Sequence, residues 1–293
     1  MYLATFKIGD KEDWGLVRPE VGLICPAKVW VGQNAPATLL DFIRLSADDK
    51  KLLSYEPPLP NEQWLAIDEV ELIAPIPRPV RNIFCVGKNY MDHIEEMNKD
   101  ISGLNIQYPQ YFTKATHTVT GPFADVPLHS DVTAQVDYEA ELAVIIGKEG
   151  INIPEDKAMD YVFGYTIIND VTARDLQQNH SQWFKGKSLD GFCPMGPWIV
   201  TRDEIIHPVE LNISSWVNGE LRQRSNTRHM IFSIPKLISI LSQGLTLEPG
   251  DILATGTPAG VGMGFDPPRV LKSGDVVRIE VEKIGYIENR FVE

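Results

Sequence analysis

Short runs of apolar, β-branched and aromatic residues dominate the chain after residue 81, and most of them end at glycine, asparagine or aspartate. Such runs are typical of β-strands that are bounded by turns. Asn218-Gly219 also predicts a type I′ hairpin turn, because both residues tolerate positive φ angles. The predicted strands are NIFCVG, DYEAELAVIIG, VFGYTIIND, WIVT, LNISSWVNGELRQ, DILATG and DVVRIEVEKIG.

Helical patterns are fewer in this part of the chain, and they are NYMDHIEEM, VTARDLQQ and IPKLISILSQG. Gly244 is the predicted cap that closes the last of them. Thr172 and Asp175 are a predicted capping pair at the start of the second. Strands without regularly alternating helices argue against a Rossmann or TIM-barrel architecture. The pattern therefore predicts a β-rich domain of the size of an enzyme.

The first 73 residues have a different pattern. Short apolar runs (TFKI, WGLV, VGLI) alternate with turn residues and are followed by one helical stretch, TLLDFIRLSADDKKLL. We therefore predict a small α+β domain at residues 1–73. Proline cannot continue a helix or donate within a sheet, so the proline-rich residues 74–80 are predicted as a linker. The main domain is then predicted at residues 81–293.

Composition narrows the range of partners. The chain is 43% hydrophobic and 23% charged, which is ordinary for a globular protein, and no run of about 18 apolar residues predicts a membrane span. Its formal charge of -13 repels phosphate backbones and anionic lipid surfaces. Three widely spaced cysteines and the lack of a secretory leader pattern favour a reducing compartment. We therefore expect a cytoplasmic protein that binds neither nucleic acid nor membrane.

Three carboxylates are the first sign of chemistry. Glu139 and Glu141 alternate along one predicted strand, so their side chains leave the same face, roughly 6.6 Å apart. A pair of this kind usually belongs to a solvated face, but this strand continues into the apolar run LAVIIG, and buried carboxylates need a cation. Asp170 ends another apolar run and, although by itself it is typical of a turn, completes an all-oxygen set. Such a set favours Mg²⁺, Mn²⁺ or Ca²⁺ over Zn²⁺.

Two further sequence features indicate a functional site less strongly than these carboxylates do. His93 and Glu96 share one face of a predicted helix, so the carboxylate can orient the imidazole for proton transfer, although surface pairs of this kind are common. The loop TGTPAGVGMG lacks the order GxGxxG. Its glycines are predicted either to let backbone amides approach a small anionic ligand or to be purely structural. No nucleotide site follows from Gly186-Lys187-Ser188, because the phosphate-binding motif requires glycine where Ser181 stands.

Several longer segments together resemble the fumarylacetoacetate hydrolase family in order and spacing. The resemblance covers about residues 78 to 290, and within the family the chain looks most like bacterial members with a short N-terminal extension, a group that includes acylpyruvate hydrolases and oxaloacetate decarboxylases. It implies an α+β fold built as a roll of mixed β-sheet, usually assembled as a homodimer. The segments are GKNYMDHIEEM, DYEAELAVIIGK, GYTIINDVTARDLQ, FKGKSLDGFCPMGP, VNGELRQ, MIFSIP and GDILATGTPAGVG.

The same resemblance implies roles for nine residues. His93 and Glu96 would lie on a lid segment that orders over bound ligand. Lys88 stands where many relatives have arginine, which leaves the size and second charge of the substrate open. The implied metal ligands are Glu139, Glu141 and Asp170; the catalytic residues are His93, Glu96 and Lys187; and the substrate contacts are Lys88, Gln177 and Thr257.

The function expected from these residues is divalent-metal-dependent cleavage of a small 2-oxo acid, with Mg²⁺ or Mn²⁺ as cofactor. The reaction would be acylpyruvate hydrolysis or oxaloacetate decarboxylation, through an enolate held on the metal. An isomerase or tautomerase of oxaloacetate or of 5-carboxymethyl-2-hydroxymuconate would use the same enolate without breaking a bond between carbons. A non-catalytic metabolite-binding protein is a further alternative, against which the dyad and the lysine weigh.

Overall fold

The computed structural model describes residues 1–45, 60–97 and 106–293. The fold is α+β, as predicted, with large mixed sheets and short helices. The described strands are β1 Tyr2–Ile8, β2 Lys11–Arg18, β3 Leu23–Pro26, β4 Leu65–Ala66, β5 Glu71–Ile73, β6 Ile83–Gly87, β7 Gln110–Lys114, β8 Val119–Thr120, β9 Val126–Pro127, β10 Val136–Asp137, β11 Ala140–Ile146, β12 Val162–Asn169, β13 Thr172–Ala173, β14 Cys193–Thr201, β15 Asn212–Val217, β16 Glu220–Asn226, β17 Ile252–Ala254, β18 Val276–Val281 and β19 Gly285–Val292.

The helices are short, and each predicted helical pattern of the main domain contains one. The first part of the N-terminal helical stretch is α2, while its residues 46–53 lie outside the described residues. Within the described ranges, no helix is long and apolar enough to cross a membrane. The α-helices are α1 Ala27–Trp30, α2 Leu39–Arg44, α3 Met91–Met97, α4 Arg174–Asn179, α5 Phe184–Lys187 and α6 Ile234–Leu241.

Two predicted helix caps are wrong. Helix α4 has no side-chain cap, because the carboxylate of Asp175 accepts hydrogen bonds from Thr133 and the amide of Ala134 instead, and the hydroxyl of Thr172 donates to a backbone carbonyl. Helix α6 ends at Leu241 with Ser242 as its cap residue, and Gly244, two residues further along, adopts the left-handed conformation in the following turn. At the N-terminal end of α4, long-range hydrogen bonds therefore replace the predicted cap, and local sequence patterns do not show such bonds.

The largest sheet has twelve strands, and its main path runs β4-β3-β2-β1-β14-β12-β11-β17-β6-β7. Strands β11 and β12 lie near its centre and are buried along their whole length. They pair antiparallel, with Ala140 opposite Asn169 and Glu141 opposite Ile168. Because Asp170 directly follows β12, this register brings it to the end of the sheet where Glu139 and Glu141 lie.

The strands of residues 1–73 belong to this same sheet. Strand β1 pairs with β14 through Tyr2 opposite Val200 and Leu3 opposite Ile199. Ala74 in the predicted linker is buried in an apolar cluster with residues from both sides of it. The division into two domains at residues 74–80 stays a prediction, and the sheet is continuous across it.

A second sheet of five strands, in the order β16-β15-β18-β19-β9, covers one face of the first. Leu142 and Val144 of β11 share one apolar cluster with Ile213 of β15, and burying such a side chain contributes about 1.5–3 kcal/mol. The hairpin β15–β16 turns at Asn218 and Gly219, whose φ angles of 52° and 81° confirm the predicted type I′ turn. This packing brings strand β16 next to the carboxylates of β11.

Candidate metal centre and active site

Three buried carboxylates meet at one end of the β11–β12 pair. Glu139 directly precedes β11, Glu141 lies within it, and Asp170 directly follows β12. Each residue offers one oxygen, and these three oxygens lie within 4.8 Å of one another. The side chains are almost fully buried, which the apolar run after Glu141 predicted. The structure thus brings the three predicted metal ligands together, although the regular strand begins only at Ala140.

Three cationic side chains surround two of these carboxylates. The ammonium of Lys187 donates to Glu139 at 2.8 Å and to Asp170 at 2.7 Å, and Lys114 donates to the other oxygen of Asp170 at 2.7 Å. Arg174 forms an ion pair with Glu139 at 2.8 Å. Burial opposes the ionisation of Glu139, but Lys187 and Arg174 outweigh it and lower the pKa of its carboxyl group to about 2. Glu139 is therefore held in the ionised form.

Glu141 has a different environment. It forms no ion pair with the described residues, and its carboxylate accepts a hydrogen bond from the amide of Gly256 at 2.9 Å. Burial, followed by repulsion from Asp170 and Glu139, raises its pKa well above the ordinary value. A cation bound among the three carboxylates would remove this penalty. An oxygen-only donor set without histidine or cysteine fits a hard cation such as Mg²⁺ or Mn²⁺.

The predicted dyad lies on helix α3. Nδ1 of His93 is 2.7 Å from one carboxylate oxygen of Glu96, and the other oxygen accepts a hydrogen bond from the amide of Gly260 at 2.8 Å. Because a carboxylate oxygen only accepts, the hydrogen bond to Glu96 places a proton on Nδ1 of His93, and in this tautomer of the imidazole Nε2 is the nitrogen that can accept a proton. Glu96 is thus anchored on both sides, and His93 is oriented as a base.

The glycine-rich loop 255–264 binds carboxylates of the protein itself. The prediction that its amides approach a small anionic ligand is wrong for four of them, because side chains already occupy these donors. Positive φ angles at Gly256 and Gly260, 101° and 104°, let the chain turn its amides inward. The pairs are Gly256 with Glu141, Gly260 with Glu96, and Gly262 and Met263 with Asp137, at 2.7 to 3.0 Å.

A cavity of about 340 Å³ opens over the carboxylates, between α3 and the helices α4 and α5. Seven of the nine predicted site residues line it, while Glu96 and Asp170 lie behind His93 and Lys187, to which they are hydrogen-bonded. The volume suits a small metabolite. The lining residues from the predicted set are Lys88, His93, Glu139, Glu141, Gln177, Lys187 and Thr257.

The three predicted substrate contacts differ in their surroundings. Lys88 is exposed and adopts a left-handed φ of 57° at the entrance of α3. The side-chain oxygen of Gln177 accepts a hydrogen bond from Arg174 at 3.2 Å. Thr257 is buried, and its hydroxyl oxygen accepts from Gln223 at 2.7 Å. All three border the cavity, and their contacts with substrate stay a prediction.

Residues 82–292 match the family described as fumarylacetoacetate (FAA) hydrolase C-terminal. The chain belongs to this family. It is 48% identical over 273 residues to oxaloacetate tautomerase YisK of Bacillus subtilis (strain 168), which covers 90% of this chain and 89% of that protein. These findings confirm the resemblance that the sequence motifs indicated.

Two solved structures of the fumarylacetoacetate hydrolase type resemble the whole chain. A fumarylacetoacetate hydrolase from psychrophilic Exiguobacterium antarcticum has a TM-score of 0.85 and 41% identity, covering 100% of this chain and 99% of its own. The 5-carboxymethyl-2-hydroxymuconate delta-isomerase from Mycobacterium smegmatis has a TM-score of 0.76 and 29% identity, with coverage of 100% and 99%. The family thus contains hydrolases and isomerases and commonly binds a divalent metal. Membership in this family is therefore compatible with cleavage and with isomerisation.

Four polar residues of this site were missed by the sequence analysis. Lys114 ends strand β7, where a lysine is usually solvated, so no local pattern marks it as buried. Arg174 precedes Gln177 by three residues on α4, and this helical spacing could have indicated that both side chains face the same site. Asp137 and Gln223 lie inside quoted motifs, but their partners come from distant segments.

Proposed function

We propose that this chain catalyses the metal-dependent keto–enol tautomerisation of oxaloacetate. The observation that carries this choice is the 48% identity, over 90% of the chain, to the oxaloacetate tautomerase of Bacillus subtilis. The proposal moves the tautomerase alternative ahead of the cleavage reactions that the motifs favoured. The site supports it, because tautomerisation needs a polarised 2-oxo group and one residue that moves a proton.

The three buried carboxylates would hold the metal, and the basic side chains around them would hold the carboxylates in position. Glu139, Glu141 and Asp170 fit Mg²⁺ or Mn²⁺, which when bound supplies positive charge next to the 2-oxo oxygen of the substrate. Lys187 orients two of these carboxylates and adds a buried positive charge that stabilises the negative charge developing on the substrate. Thr257 contributes a hydroxyl to the same cavity.

His93 would move the proton. Its unprotonated Nε2 takes a proton from C3 of oxaloacetate, and the electron pair released at C3 moves toward the oxygen on C2. Glu96 stabilises the imidazolium that results, because its carboxylate accepts the Nδ1 proton. The imidazolium then returns the proton to the C2 oxygen, which gives the enol. The reverse order gives the keto form, and no bond between carbons breaks.

The proposal predicts fast interconversion without loss of carbon dioxide. Enol-oxaloacetate is mixed with the Mg²⁺- or Mn²⁺-loaded protein, the decay of enol absorbance is recorded, and products are identified by proton NMR. We expect keto-oxaloacetate to form at least about 100-fold faster than without enzyme, in line with one positioned acid–base residue. Pyruvate forming faster than the keto form would overturn the proposal.

Cleavage is the second candidate, favoured by the likeness to the Exiguobacterium antarcticum hydrolase. In that reaction the pair His93–Glu96 would activate a water molecule that attacks the distal carbonyl of an acylpyruvate. Acetylpyruvate added to the same loaded protein would then give acetate and pyruvate. Turnover of acetylpyruvate above that of oxaloacetate would place cleavage first.

Gly264 offers a test of the dyad that leaves its two residues unchanged. A Cβ atom at this position would lie 2.4 Å from a carboxylate oxygen of Glu96, so Gly264→Ala must displace that carboxylate. We expect kcat for oxaloacetate tautomerisation to fall at least about tenfold, because His93 loses its orienting partner. The free energy of unfolding should change by less than about 1 kcal/mol, since the end of a side chain can move.

Gly121→Ala is the matched control for this substitution. A Cβ at Gly121 would meet its nearest atom at 3.5 Å, an ordinary contact, and Gly121 lies outside the cavity. Its kcat should equal that of the wild type. Urea unfolding measured on both variants separates loss of fold from loss of the dyad. Wild-type kcat in Gly264→Ala would contradict the proposed role of the anchored carboxylate.

A further inference from the structure

Gln223 joins the two sheets at the site. It lies on β16, is fully buried, and its side-chain amide forms four hydrogen bonds. The oxygen accepts from the amide of Ala140 at 3.0 Å and from the hydroxyl of Ser215 at 2.9 Å. The nitrogen donates to the hydroxyl oxygen of Thr257 at 2.7 Å and to the carbonyl of Pro258 at 2.8 Å. The hydrogen-bonding capacity of this amide is therefore fully used.

Two backbone partners fix the orientation of the Gln223 amide. The amide of Ala140 can only donate, and the carbonyl of Pro258 can only accept, so the oxygen faces β11 and the nitrogen faces the glycine-rich loop. It follows that the hydroxyl oxygen of Thr257 is an acceptor in its bond with Gln223. The hydroxyl proton of Thr257 must point elsewhere.

The cavity is the direction left for that proton. Thr257 lines the cavity, and its hydroxyl has no other hydrogen-bond partner in the part of the chain that the structure describes. A hydroxyl that could rotate would also present a lone pair to the cavity, and a lone pair repels an anionic oxygen. The bond from Gln223 occupies one of the two lone pairs of Thr257 and excludes the rotamer in which the hydroxyl proton points at residue 223, so the proton is left free to point at a ligand in the cavity.

We propose that Gln223 is a positioning residue that makes Thr257 a hydrogen-bond donor to an oxygen of the bound 2-oxo acid. The inference rests on the proposed function, because it takes the ligand of the cavity to be an anion with adjacent oxygens. Gln223 acts through Thr257 and does not line the cavity itself. Its bond to Ala140, which separates Glu139 from Glu141, holds the same loop in register with the metal-binding strand.

A double-mutant cycle on oxalate binding tests this role. Oxalate is a small dianion with the adjacent oxygens of a 2-oxo acid, and its Kd for the Mn²⁺-loaded protein is measured by calorimetry. Gln223→Glu places an oxygen where the amide nitrogen was, so Thr257 donates its proton to residue 223. Thr257→Val removes the hydroxyl at similar volume. We expect each change to weaken oxalate binding about tenfold or more, and the double variant to be no weaker than either.

Ser215→Ala is the matched control, because it removes another partner of Gln223 and leaves Thr257 untouched. Its oxalate Kd should stay within about twofold of the wild type. Gln223→Met, which frees the Thr257 hydroxyl to rotate, replaces Gln223→Glu if the latter does not fold. Multiplicative losses in the double variant, or unchanged oxalate binding in Gln223→Glu, would overturn the inference alone. Wild-type protein that binds Mn²⁺ but not oxalate would overturn the proposed function as well.

Discussion

Glu141→Ala is expected to weaken Mn²⁺ binding by more than about 100-fold and to leave no measurable tautomerase activity. Glu139 and Asp170 would remain, but both already accept hydrogen bonds from the ammonium of Lys187. Two carboxylates neutralised in this way hold a hard cation poorly. The expected loss exceeds the 10- to 100-fold typical of residues that only support a ligand, because Glu141 would itself contribute an oxygen. Calorimetric titration with Mn²⁺ measures the affinity.

The metal-free proteins provide a second readout for the same change. In the wild type, Glu141 is a buried carboxylate beside two others, so its removal should not lower the free energy of unfolding without metal. Adding Mn²⁺ at about 100 times its Kd should stabilise the wild type by about 2.7 kcal/mol and Glu141→Ala by far less. Glu141→Gln keeps the volume and one oxygen donor and should be intermediate. Wild-type affinity in Glu141→Ala would show that the ion binds elsewhere.

The burial of this site was predictable from the sequence, and the partners of its residues were not. Alternation around Glu139 and Glu141, followed by an unbroken apolar run, indicated two inward-facing carboxylates. That Asp170 joins them depends on the register of β11 against β12, a pairing between distant segments. Motif resemblance supplied this link where periodicity could not.

The glycine-rich loop shows the same limit more sharply. Its composition indicated backbone amides that approach an anion, and this chemistry is present. The acceptors are carboxylates of Glu96, Glu141 and Asp137, which come from two separate segments of the chain, helix α3 and residues 137–141. A sequence pattern shows that donors are available but not which acceptor reaches them. For the same reason, neither the burial of Lys114 nor the four bonds of Gln223 left a local signal.

Glu96→Gln is expected to lower kcat for oxaloacetate tautomerisation by about 10² to 10⁴, the usual contribution of a positioned acid–base pair. The amide has the same shape and its single oxygen can still accept from Gly260, so the helix and the loop keep their contact, while its NH₂ group, a donor, takes the place of the oxygen beside Nδ1 of His93. What the amide lacks is the negative charge that stabilises the imidazolium after Nε2 of His93 takes a proton. Stopped-flow measurement of enol decay gives kcat.

Three comparisons make this last test specific to proton transfer. Glu95→Gln, an exposed neighbour on the same helix, changes the net charge equally and should keep kcat within about twofold. Mn²⁺ affinity should be unchanged in Glu96→Gln, because Glu96 is not among the converging carboxylates. His93→Asn combined with Glu96→Gln should be little slower than His93→Asn alone, since the carboxylate acts only through the ring. Wild-type kcat in Glu96→Gln would assign the proton transfer to another residue.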